Sequence, residues 1–195
     1  MFCGYLNANK VSFGKLKQKL FSFDELERIL NLRPFVNAQR FIPCSDMTRY
    51  EWQNNAWASD NYCWPIDIIK KILKESSCYL MDCSKINKKI NNVAKELEDI
   101  FKKSVDCHIY FSLNKTAQHF QKHKDKSHNL IVASEGAIKV EVENTKKILK
   151  SGDYVFIPAQ VYHKIIPQTD KRISCSFPIT LIESVLENRK WMTIT

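Results

Sequence analysis

The feature that most limits what this chain can fold into is a change of period near Asp106. Before it, apolar residues recur at helical spacing; after it, they alternate. His108-Ile109-Tyr110-Phe111, Asn129-Leu130-Ile131-Val132, Ala137 to Glu143, Asp153 to Ile157 and Arg172 to Phe177 read as short strands, with Gly136 and Gly152 at two of the turns. Short strands at regular intervals imply a barrel or jelly roll, an arrangement that protects the strand edges. Ile138, Val140 and Val142 alternate with Lys139, Glu141 and Glu143. Successive side chains on a strand point to opposite faces, so this one is expected to be apolar inside and charged outside.

The first half reads as helices. Ser22-Phe23-Asp24-Glu25 is a capping box ahead of Leu26, Ile29 and Leu30, and Arg33-Pro34 ends that helix because proline restricts the residue before it. Pro65 opens a second helix with Ile66, Ile68, Ile69 and Ile72 as its apolar positions. A third runs from about Ile86 to Lys103, with Ile90, Val93, Leu97 and Ile100 on one stripe. Between Pro43 and Trp64 lie three tryptophans, Trp52, Trp57 and Trp64, with no period, either a substrate-facing loop or irregular packing on the barrel. The fold class expected is therefore mainly β with a helical annex: a double-stranded β-helix, or jelly-roll barrel, preceded by packed α-helices. Residues 1–105 form the helical region, 106–180 the barrel core and 181–195 a C-terminal helix or tail. No linker composition separates them, so 195 residues are expected to make one structural domain.

Charge says little about partners. Thirty basic against 21 acidic residues give +9, but the lysines are scattered, with no arginine cluster and no aromatic stripe. Nucleic acid is not called for, although the charge leaves it open. Met1 to Phe21 has no continuous apolar run of the kind an export signal needs, and no stretch approaches the ~20 apolar residues of a membrane span. Seven cysteines, none in paired metal spacing, read as reduced buried thiols in a cytoplasmic protein.

The chemistry lies on the alternating half. His123-Lys124-Asp125 sets an imidazole and a carboxylate two residues apart, on one face of a strand, and His163 supplies the third ligand from a strand brought alongside by the fold. Two imidazoles and one carboxylate on one face leave neighbouring coordination positions open, as in non-haem Fe(II) oxygenases.

The spacing around these residues resembles a known superfamily. His123-x-Asp125-x3-Asn129-x6-Gly136 is similar to the first conserved motif of the cupins, and Gly152-x5-Pro158-x-Gln160-x2-His163 to the second, with Gln160 where glycine is usual. From about Ser22 to Ile179 the order of elements resembles JmjC-type 2-oxoglutarate oxygenases of the ribosomal-oxygenase-like branch. The resemblance implies a metal held by His123, Asp125 and His163, with Fe(II), 2-oxoglutarate as cosubstrate and O2. It also implies a cation for the far carboxylate of 2-oxoglutarate. JmjC-type enzymes place a lysine or arginine soon after the glycine turn, where this chain has Ile138 and then Lys139. Arg172-Ile173-Ser174 resembles the Arg-x-Ser element of other 2-oxoglutarate oxygenases, and a guanidinium pairs with carboxylates in two places at once. Lys139 reads as outward-facing, and Arg172 with Ser174 is the preferred anchor. Tyr110 adds a hydroxyl and Asn129 an amide behind the ligands. His119 and His128 read as structural or lining residues, and His108 is left undecided. The function so implied is hydroxylation of an unactivated C–H bond of a peptide or protein side chain or of a small metabolite. The alternatives are a cupin isomerase or dioxygenase that does not use 2-oxoglutarate, or a ligand-binding cupin without catalysis.

Overall fold

The computed structural model describes residues 6–32, 41–44 and 66–180. The Arg33-Pro34 helix stop, the tryptophan segment, Pro65 and the tail at 181–195 lie outside the described residues. No helix among the described residues is long and apolar enough to cross a membrane.

Local chemistry sets the helix starts. Helix α1 (Phe23–Leu30) begins on the capping box: Glu25 N–H donates to Ser22 Oγ at 3.3 Å, and Ser22 N–H donates to Glu25 Oε2 at 2.9 Å. Helix α2 spans Ile66–Glu75. Helix α3 (Lys88–Phe101) is shorter at both ends than the periodicity implies. Asn87 takes the cap, accepting from Ile90 N–H at 2.9 Å, and Lys102 leaves the helix in the left-handed region at φ 54°.

Ten strands are present among the described residues: β1 (Ser12–Lys15), β2 (Phe41–Pro43), β3 (Cys78–Leu80), β4 (His108–Ser112), β5 (His128–Glu135), β6 (Ala137–Val142), β7 (Thr145–Lys150), β8 (Asp153–Ile157), β9 (His163–Pro167) and β10 (Arg172–Ile179). Seven form one antiparallel sheet in the order β1-β8-β5-β10-β4-β3-β2, and three form a second in the order β7-β6-β9. Together they make a jelly roll of the expected class. β4, β5, β6, β8 and β10 coincide with the five alternating segments. The other five carry little apolar alternation. β1, β2 and β3 are three or four residues long, and β7 exposes every residue but Leu149.

The chain passes from the large sheet to the small one at Gly136, between β5 and β6. Its φ is +69°, and a Cβ there would collide with the Lys171 carbonyl oxygen and Thr169 Oγ1, so this corner requires glycine.

Two apolar cores flank the large sheet. Leu26, Leu73, Ile90, Val93 and Leu97 from the helices pack with Phe41, Leu80, Phe111, Phe156 and Phe177 from the strands in one cluster. A second cluster joins the sheets: Ile131, Ala133, Val155 and Ile157 meet Ile138, Val140, Val142, Leu149 and Ile165. Each fully buried Leu, Ile or Phe contributes roughly 1.5–3 kcal/mol. Cys44, Cys78, Cys83, Cys107 and Cys175 are buried and free, and burial pushes the Cys78 and Cys107 thiols up.

Candidate metal centre and its pocket

The strand expected to carry His123 and Asp125 is only an isolated bridge between β4 and β5, a correction to the sequence reading. His123 and His163 exchange both backbone bonds: His123 N–H donates to His163 O at 3.0 Å, and His163 N–H to His123 O at 2.8 Å. One bridge keeps the chain extended enough for the i, i+2 rule, and Gln121, His123, Asp125 and Ser127 all line one pocket. His163 opens β9 and reaches the same place.

One ligand atom from each of His123, Asp125 and His163 lies within 4.8 Å of the others. His123 Nε2 stands 3.8 Å from Asp125 Oδ1, and His163 Nε2 stands 3.6 Å from Asp125 Oδ2. The opposite ring nitrogens face backbone carbonyls: His123 Nδ1 is 2.8 Å from Gln121 O, and His163 Nδ1 is 3.1 Å from Val161 O. A carbonyl can only accept, so each Nδ1 carries the proton and each Nε2 presents a lone pair to the centre. Burial holds His163 below its ordinary value, which favours the neutral imidazole a cation needs.

Neighbouring groups fix the carboxylate. Asn129 Nδ2 donates to Asp125 Oδ2 at 3.5 Å, while Ser176 Oγ donates to Asn129 Oδ1 at 2.8 Å. Gln160, in the usual glycine position, does adopt the left-handed region at φ 64°, and its N–H donates to Asp125 O at 2.8 Å.

The pocket is a cavity of about 460 Å³. Tyr79, Tyr110 and Phe120 form an aromatic wall, with Tyr79 and Tyr110 stacked at 4.8 Å. Ser174 lines it, and behind Ser174 lies Arg172, which is 0% exposed. Its guanidinium donates from Nε to Ser112 Oγ (3.1 Å), from one terminal nitrogen to Ser174 Oγ (2.9 Å) and from the other to Ser77 Oγ (3.1 Å). Burial lowers its pKa to about 10, which leaves it charged at neutral pH. No carboxylate pairs with it among the described residues. Burial also pushes the Tyr110 phenol up, so it stays protonated.

The structure does not bring Lys139 to this place. Lys139 pairs with Glu141 at 2.9 Å on the outer face of β6, while Ile138, Val140 and Val142 are buried inside. His119 does line the pocket; burial first, and Arg172 second, hold it well below its ordinary value, and its Nδ1 has no hydrogen-bond partner among the described residues. His128 is structural, accepting from Ala159 N–H at 3.0 Å and packing on Phe101 and Phe156. His108 also lines the pocket and stands 3.2 Å from Asp106. Ser77 and Ser112 escaped the sequence reading. They lie 95 and 60 residues from Arg172 in sequence, and no local motif connects them to it.

A jelly roll with two imidazoles and a carboxylate converging at one end defines a class, and residues 109–178 match the family model described as the cupin domain. The wider likeness is to the ribosomal oxygenase YcfD from Escherichia coli. One YcfD structure superposes with a TM-score of 0.68 at 13% identity, covering 97% of this chain and 53% of that one. YcfD in complex with cobalt and 2-oxoglutarate gives 0.65 at 12% identity, covering 100% and 57%, and its complex with cobalt and succinic acid gives 0.66 at 13%, again covering 100% and 57%. Identity at this level shows a shared fold. The chain spans little more than half the length of YcfD. No curated protein sequence matches it.

Proposed function

We propose that this chain is an Fe(II)- and 2-oxoglutarate-dependent oxygenase that hydroxylates an unactivated C–H bond of a peptide or protein side chain or of a small metabolite. The observation that carries the reading is the triad of His123, Asp125 and His163, with both Nε2 lone pairs already aimed at one point on the pocket wall. The donor set fits a first-row divalent ion with adjacent positions left open. Bound there, Fe(II) with 2-oxoglutarate and O2 supplies the oxidising power.

The rest falls to the chain's own side chains. His123, Asp125 and His163 hold the ion, and Asn129 keeps the Asp125 carboxylate turned toward it. Arg172 receives the far carboxylate of 2-oxoglutarate beside Ser174 and Tyr110. A guanidinium has five N–H groups, and three serines leave two of them free for this. A carboxylate buried without such a partner would be costly. Tyr79 and Phe120 line the space with apolar surface and limit access of water.

The test begins with Asp125→Ala, which should abolish tight Fe(II) binding in calorimetry while far-UV circular dichroism stays unchanged. Stoichiometric iron in that variant would sink the assignment. Anaerobic titration of the Fe(II) protein with 2-oxoglutarate should then raise a metal-to-ligand charge-transfer band. A second reading, a cupin metalloenzyme that does not use 2-oxoglutarate, is favoured by the place of Arg172 behind Ser174. Iron binding with no such band would select it.

A further inference from the structure

The segment carrying His123 and Asp125 has a second side. Gln121, His123, Asp125 and Ser127 line the pocket, and alternating with them are Lys122, which also borders its rim, Lys124 and Lys126. Lys122 and Lys124 are exposed and hold their ammonium groups 5.8 and 5.5 Å from the centre of the Tyr162 ring, itself 53% exposed. None of the three lysines has an ion pair among the described residues. Lys164, nearby on β9, is instead occupied: its Nζ donates to Gln121 Oε1 at 3.3 Å, and Glu141 lies opposite it on β6.

The backbone of this segment is also half used. His123 spends its N–H and C=O on His163. In an antiparallel pair the neighbouring groups point the other way, and neither Lys122 nor Lys124 makes a backbone hydrogen bond to another backbone group among the described residues. The segment is therefore an open strand edge along the rim of the pocket. Such edges accept an extended peptide as an added strand. Lysines on the edge repel another copy of this chain, whose net charge is also +9, and attract an acidic one.

We propose that Gln121 to Lys126, with Tyr162, docks an extended acidic segment of a protein substrate, read as acidic residue–target–acidic residue. Strand geometry gives the pattern. Lysines two residues apart stand ~6.6 Å from each other on one face, and alternate residues of an added strand share that pitch. Two acidic side chains thus meet Lys122 and Lys124, and the residue between them turns to the opposite face, toward His123 and Asp125. The target's role rests on the oxygenase reading above; the docking does not.

A short fluorescein-labelled peptide of alternating glutamate and threonine is the probe, followed by anisotropy at low salt with a chelator present, so that binding is scored without metal. The peptide should bind, and Lys122→Glu with Lys124→Glu should weaken it about tenfold. The milder pair Lys122→Gln and Lys124→Gln should weaken it roughly threefold and guards against misfolding in the first variant. Methylating the alternate peptide nitrogens that face the edge should weaken binding with the charge unchanged. Equal binding of the methylated peptide would overturn strand pairing, and indifference to charge reversal would overturn the role of the lysines. Tighter binding of an oligothymidylate of equal charge would replace the acidic peptide with nucleic acid. If the peptide binds as expected while Asp125→Ala keeps its iron, only the oxygenase reading falls.

Discussion

The two sheets treat their faces differently. In the small sheet, β6 alternates between buried and half-exposed residues and most of β7 lies open to solvent, so one face is dry and one wet. In the large sheet, β5 and β10 are buried at nearly every position, because helices cover one side and the barrel interior lies on the other. Each sheet carries one of the two rival candidates for the 2-oxoglutarate anchor. Lys139 belongs to the wet face and pairs with Glu141, whereas Arg172 belongs to the covered sheet and donates to three serines. Alternation thus assigns a charge to solvent when one face is wet. When both faces are dry, it says only which of two interiors the side chain enters.

Removing the helices should have the largest effect on this contrast. A fragment starting near residue 104 keeps the small sheet but takes from the large one its strands β1, β2 and β3 together with Leu26, Leu73, Ile90, Val93 and Leu97 of the helices. We expect it to be unfolded by circular dichroism; a stable folded fragment from limited proteolysis would make the barrel independent of its annex. Next comes the pair of cations. Arg172→Ala leaves three serine hydroxyls around a void and should cost about 2–4 kcal/mol in urea denaturation. It should also lose on the order of 2–5 kcal/mol of 2-oxoglutarate affinity with metal binding intact. Lys139→Ala should stay within ~0.5 kcal/mol on both measures. The reverse ranking would return the anchor to β6.

Gly136→Ala tests the corner where the sheets meet. The positive φ and the collision with Lys171 and Thr169 should cost about 1–3 kcal/mol, read as a lower thermal midpoint. The smallest effect concerns pH. His119 lies in the covered pocket with its folded value held below the unfolded one near 6.5. The unfolded chain then takes the proton first, so the stability His119 brings is complete above about pH 6.5 and declines as pH falls below it. His119→Phe should flatten that decline by at most ~1.4 kcal/mol per pH unit, measured by denaturation midpoints at stepped pH. An unchanged slope would show that His119 charges freely in the fold.

The same contrast explains what could be read from the sequence. Ile138, Val140 and Val142 announced the inner face of β6 by alternation alone. Along β10, Ile173, Cys175 and Phe177 join the helix-covered cluster, while Arg172, Ser174 and Ser176 turn the other way and are buried too. Their depth was hidden, since it depends on the second sheet closing over them. The His123, Asp125 and His163 cluster was legible from the two motifs. Its supports were not: Ser77 and Ser112 reach Arg172 only through the strand order β10-β4-β3. β7 was missed because exposed lysines fill it, and a strand pinned by backbone bonds to β6 needs no apolar pattern of its own.

The bridge between His123 and His163 has one more consequence. His123 stands on the chain leading into β5 of the large sheet, and His163 begins β9 of the small one. An ion shared by their imidazoles would belong to both sheets at once and act as a clasp across the mouth of the roll. Parting the sheets there would mean breaking coordination bonds as well as two hydrogen bonds. Gly136 sits at the other end of β6, where the turn after β7 already ties the layers, Ser151 Oγ donating to Ser134 O at 2.6 Å. Loading the metal would therefore fasten the rim, where chemistry occurs, as the base is fastened already.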